Sequence, residues 1–100
     1  MSNYTRINPT AGSQLIVRSV RATLPANTAK VVITAPTVSG YSFVCWIGVS
    51  TNGWVGDPYI QNQGSSSTSV WCSRVTSVSG QITLNTSAAE IDAFALLAKN

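Results

Sequence analysis

The sequence predicts an all-β fold, an antiparallel β-sandwich or compact barrel of about seven or eight strands. Three observations carry the expectation. β-branched and aromatic residues gather in short runs, turn residues interrupt the chain about every ten positions, and no segment holds a helical period for more than a turn. At 100 residues the chain is of single-domain size.

The elements follow in order. Residues 1–12 are polar and aperiodic, with Asn8-Pro9 as a breaker, and read as an arm or linker; residues 13–100 read as the β-rich domain. Gln14–Val20 is the first run, and Pro25-Ala26-Asn27 turns the chain into Ala29–Ala35. Ser39-Gly40 precedes the most apolar run, Tyr41–Val49, which ends on the Asn52-Gly53 hairpin signal. Trp54–Gln61 follows, then the small polar loop around Gly64-Ser65-Ser66-Ser67, which reads as mobile. Thr68–Val75, a turn at Ser79-Gly80, and Gly80–Asn85 come next; Ser87–Glu90 has room for one helical turn before the closing run, Ile91–Lys99.

Alternation assigns the faces. In the third run Tyr41, Phe43, Cys45 and Ile47 share one side, and Ser42, Val44, Trp46 and Gly48 the other. In the last, Ile91, Ala93, Ala95 and Leu97 alternate with Asp92, Phe94, Leu96 and Ala98. Strands apolar on both sides are normally covered on both sides. That pattern, with only 9% of residues charged, predicts an oligomer, and we expect a homotrimer. Trp46 and Trp71, embedded in strands, are expected in the core or at the subunit contact.

Composition removes most chemistry. There is no histidine, and the acids are Asp57, Glu90 and Asp92. General acid–base catalysis needs a group titrating near the working pH, and metal hydrolysis needs clustered ligands, so the chain reads as non-enzymatic, with no metal and no cofactor. No His stands ready to activate a serine, and no Gly-x-Ser-x-Gly elbow occurs. Cys45 and Cys72 each adjoin a tryptophan and read as small reduced hydrophobes, with a disulfide open if their strands are neighbours. The net charge of +3 reflects scarce acids; the six Lys and Arg do not form the stripe that nucleic acid calls for. No secretory signal and no apolar span of membrane length is present, so synthesis in a cytoplasm without membrane insertion is expected.

Trp54, Asp57 and Tyr59 form the candidate binding group. A tryptophan leaving a tight turn can stack on a sugar face, or fold back as a lid on the core. A nearby carboxylate can grip two hydroxyls, or bond its own backbone as Asp before Pro readily does. For a phosphorylated ligand, Arg18, Arg21 and Arg74 are the candidate partners, since guanidinium grips phosphate bidentately.

The stretch SGYSFVCWIGVSTNGWVGDPYI, then SSSTSVWCSR, and the ending AFALLAKN resemble the C-terminal head-type domains of tail-fibre, baseplate and minor structural proteins of phages and prophages of Gram-positive bacteria. Leu24-Pro25-Ala26-Asn27 and Gly40-Tyr41-Ser42-Phe43-Val44-Cys45-Trp46 stand where those domains carry similar patterns, and the likeness spans roughly residues 14–100. It implies a trimeric β-rich head on the virion tail tip or baseplate. Such a head recognises a host cell-envelope polysaccharide without cleaving it, and residues 1–12 would join it to other tail or baseplate proteins. The alternatives are a structural tail or capsid-decoration protein that makes only protein contacts, and a β-barrel nucleic-acid-binding module.

Overall fold

The computed structural model describes residues 14–52, 55–78 and 80–100. The arm at residues 1–12 and the candidate Trp54 lie outside them. The fold is all-β. Among the described residues eight strands occur in order: β1 (Leu15–Leu24), β2 (Lys30–Thr34), β3 (Tyr41–Asn52), β4 (Gly56–Ile60), β5 (Ser67–Ser73), β6 (Val75–Val78), β7 (Gln81–Leu84) and β8 (Ala89–Lys99). They make a long three-stranded sheet ordered β1-β8-β3, a short one ordered β2-β5-β4, and a separate two-stranded ribbon, β6-β7. Every pairing is antiparallel.

The two three-stranded sheets share one core. Leu24, Trp46, Ile91, Ala93, Ala95 and Leu97 of the long sheet meet Ile33, Val70 and Cys72 of the short one. The closing strand β8 is central in its sheet, and alternate residues from Ala89 to Leu97 are buried. Ala95 pairs with Trp46 and Ala93 with Val49. A methyl group there leaves the volume that the Trp46 indole fills, so small residues on β8 and a large one on β3 are a matched choice.

The face assignment on β3 needs correction. Val44 and Ile47 are extra residues between the pairs Phe43–Leu97, Cys45–Leu96, Trp46–Ala95 and Gly48–Phe94. Each bulge shifts the alternation by one. The inner row is therefore Tyr41, Phe43, Trp46, Val49 and Thr51, whose partners on β8 are the inner Lys99, Leu97, Ala95, Ala93 and Ile91. Cys45 and Gly48 fall on the outer row with Ser42 and Ser50, while Val44 and Ile47 stay exposed. β8 keeps the expected two-faced pattern, its second face half-buried.

Three further boundaries differ. β1 runs four residues beyond Val20, because Arg21 and Thr23 continue the outer row while Ala22 and Leu24 continue the inner one. The run at Thr68–Val75 splits at Arg74. Ser87–Glu90 makes no helical turn, since β8 begins at Ala89. The turn positions behave as their residues dictate: Asn27 has φ 62° and Gly80, before β7, has φ 79°, the left-handed region that Asn and Gly tolerate best.

Candidate functional site

The outer face of the short sheet is where side chains able to bind a ligand converge. Along β5, Val70 and Cys72 point inward, so Ser67, Ser69, Trp71 and Ser73 form the outward row. Lys30 of β2 pairs with Trp71 on one side, and Tyr59 of β4 pairs with it on the other. Directly paired residues share a face, with Cβ atoms about 5 Å apart. Lys30, Trp71 and Tyr59 thus lie side by side across all three strands. In the next row Val32 pairs with Ser69, and the Gln61 backbone N–H donates to the Ser69 carbonyl.

Tyr59 owes its position to a bulge. Gly56 pairs with Ser73 and Tyr59 with Trp71, so β4 spends two residues, Asp57 and Pro58, against Cys72 alone. Asp57 sits in the left-handed region at φ 49°, and Pro58 has no N–H to give a ladder. Without the extra residue Tyr59 would oppose Val70 and point into the core. With it, Tyr59 turns outward to 58% exposure and Ile60 packs inward. A bulge that re-aims a side chain is a common device beside binding sites.

Trp71 is held in place. Its Nε1–H donates to Gln61 Oε1 at 2.8 Å, and the Lys30 ammonium stands 5.3 Å from its ring centroid. With Gln61 Oε1 accepting from the indole, the amide nitrogen is the side chain's donor group. Thr34 Oγ1 and Ser67 Oγ lie 3.3 Å apart further along the same face. The result is an aromatic row flanked by one cation, one amide and several hydroxyls. It can stack a flat apolar surface and bond to hydroxyls at its edge.

The candidates named from the sequence are divided by the structure. Asp57 and Tyr59 sit together on β4, both exposed. Arg18 and Arg21 lie on β1, in the other sheet. Arg21 is engaged in a bidentate pair with Asp92, Nε–Oδ1 2.9 Å and Nη2–Oδ2 3.0 Å. The Arg21 hydrogen bond holds the Asp92 carboxyl below the usual carboxylate range. Arg18 is exposed and donates to the Val17 carbonyl.

Arg74 is buried. Its guanidinium donates to the carbonyls of Pro25, Thr28, Asn85 and Ser87, four bonds from a group with five N–H donors. That guanidinium is turned inward on the backbone and is not placed to meet an external phosphate. The two cysteines are free, Cys72 buried and Cys45 half-buried, on different sheets. Burial pushes the Cys72 thiol up, against the opposing pull of the Arg74 charge. Among the described residues no group of His, Cys, Asp and Glu could hold a metal ion.

Trp46 is buried as expected, its ring N–H donating to the Ser65 carbonyl at 2.7 Å. Its backbone N–H donates to Gln63, so the polar loop between β4 and β5 is tied down across β3. Trp71 is only half-buried, and on the outer face. The signal for it is in the sequence, since Ser69-Val70-Trp71-Cys72-Ser73 puts the tryptophan in phase with serines. Lys30 and Gln61 carried no such signal, because only the pairing of the strands brings them to Trp71.

No family model, curated protein or solved structure matches this chain.

Proposed function

We propose that the domain is a non-catalytic adhesion module of a phage tail, which binds a host cell-surface saccharide on the outer face of the short sheet. The observation that carries the reading is the Tyr59–Trp71–Lys30 row with Gln61 beside it. Aromatic rings present a flat face to the C–H side of a sugar, and amide, hydroxyl and ammonium donors meet its oxygens. Asp57, two residues before Tyr59, is the carboxylate nearest in sequence to the rings. The resemblance of the sequence to phage head domains supports the same reading. A homotrimer would present three such faces, and a shallow site that is weak alone gains from repetition on one tail tip.

The test is calorimetric titration of the domain with purified host cell-wall polysaccharide. Saturable binding that Tyr59→Ala weakens supports the proposal; no binding to any wall fraction overturns it.

A second reading, a virion component that makes only protein contacts, is favoured by a different surface. On the outer face of the long sheet, Leu15, Val17, Phe94, Leu96, Ala98 and Cys45 cluster at one end. It predicts stable assembly and no saccharide binding.

A further inference from the structure

The two edge strands of the short sheet carry exposed charges of opposite sign, Lys30 on β2 and Asp57 on β4, with β5 between them. Two strand spacings put those edges about 10 Å apart. Among the described residues no other cation belongs to this sheet's outer face. Arg18 and Arg21 are on β1, Lys99 is on β8, and the Arg74 guanidinium is turned onto four backbone carbonyls.

The Lys30 ammonium is held in place without being neutralised. It stands 5.3 Å from the Trp71 ring centroid, and Gln61 in turn fixes the ring through its Nε1–H. A lysine gives up much rotamer freedom when a ligand captures its head, and a side chain already restrained by a ring gives up less. Among the described residues the ammonium has no carboxylate partner; the ion pair found is Arg21–Asp92, on the other sheet. The ring attracts the charge but leaves N–H donors for a further partner. A neutral hydroxyl that replaces water on those donors gains little, because water accepts equally well. An oxyanion gains more, since both sides of the bond are then charged.

We infer that the saccharide bound on this face is acidic, and that Lys30 receives its negatively charged substituent beside the Trp71 ring. The inference rests on the saccharide reading of this face and adds the charge of the ligand. The substituent is a carboxylate or a phosphate: an ammonium is a compact point charge and takes either, without the fork geometry of a guanidinium. Asp57 repels such a group from the β4 edge. The ligand therefore lies with its charge towards β2 and its hydroxyls towards Tyr59. The net charge of +3 favours the approach of an anionic polymer.

The experiment is calorimetric titration of the full chain with purified host cell-wall polysaccharide in three forms: as isolated, with its carboxyl groups reduced to alcohols, and with its phosphates removed. One treatment should weaken wild-type binding about fivefold, the upper end for an exposed ion pair, and which one does so identifies the charged group. Lys30→Gln should weaken binding of the untreated polymer by the same factor and remove its sensitivity to salt, and the effective treatment should then cost this variant nothing more. Lys30→Arg should keep the affinity. Lys99→Gln, which removes the same charge from the other sheet, should change nothing. Circular dichroism confirms that each variant is folded. Wild-type binding indifferent to both treatments, Lys30→Gln binding as tightly as wild type, or Lys99→Gln losing as much as Lys30→Gln overturns the inference and leaves the saccharide site standing. Absence of binding to all three forms overturns the saccharide reading itself, and the inference with it.

Discussion

Arg74→Ala is the substitution whose cost can be worked most fully. The side chain is 8% exposed and its guanidinium donates to four backbone carbonyls, on the β1–β2 turn and the β7–β8 connection. No described carboxylate pairs with it, so the carbonyl dipoles alone stabilise the buried charge. After truncation, the carbonyls of exposed Pro25 and Ser87 can bond water at little cost. Those of Thr28 and Asn85 are half-buried, and each lost charge-assisted bond costs about 1–1.5 kcal/mol. Removing the apolar stem adds about 1 kcal/mol. The expected loss is about 3–4 kcal/mol, a large share of the 5–15 kcal/mol typical of a domain. Lysine should recover only a minor part, since one ammonium cannot span four carbonyls. Urea unfolding followed by tryptophan emission, extrapolated linearly, measures both variants. A loss below about 1 kcal/mol, or full recovery by Arg74→Lys, would refute the reasoning.

Asp57 sits in a left-handed conformation that costs a non-glycine residue about 1 kcal/mol or more. Asp57→Gly should therefore leave thermal stability unchanged or raised, and Asp57→Val should lower it; a stabilising valine contradicts the bulge. Asp92 titrates below its ordinary value of 3.8 because of Arg21. The pair's contribution is present above that value and is lost as pH falls through the depressed one. Melting midpoints of wild type and Asp92→Asn should therefore differ at neutral pH and converge in acid; a constant gap argues against the pair. The Cys72 thiol is raised by burial above its ordinary 9.0, so the folded chain keeps that proton where the unfolded chain loses it. Stability should fall as pH rises past that value, and a thiol reagent should modify Cys45 first and Cys72 only on unfolding. Equal modification rates in the native state would count against the burial.

Fold class was legible in the sequence because alternation and turn chemistry are local. Pro25-Ala26-Asn27 and Ser79-Gly80 mark turns by backbone preference alone, and β8 alternates without a break. The bulges on β3 were not legible, since an inserted residue changes register without changing composition. The spacing Phe43, Trp46, Val49 is their trace, three residues apart where an unbroken strand would need two. The break at Arg74 was hidden because Ser73-Arg74-Val75 reads as continuous strand. Only the carbonyls of distant turns explain why that side chain goes inward. Tyr59 and Asp57 could be singled out as an aromatic and a carboxylate near a turn. The residues beside them in space, Trp71 and Lys30, come from strands that pairing alone brings together.

The central claim, that the Tyr59–Trp71–Lys30 row binds saccharide, is tested most directly at its middle ring. Affinity for purified host cell-wall polysaccharide should be measured side by side for wild type and Trp71→Ala, with melting midpoints taken on both. By analogy with stacking on bases, loss of the ring should weaken binding by about 1–3 kcal/mol, roughly fivefold to 150-fold. The half-buried position of Trp71 predicts a smaller change in stability than truncating buried Trp46 would cause. Unchanged affinity in a folded Trp71→Ala protein would contradict the account.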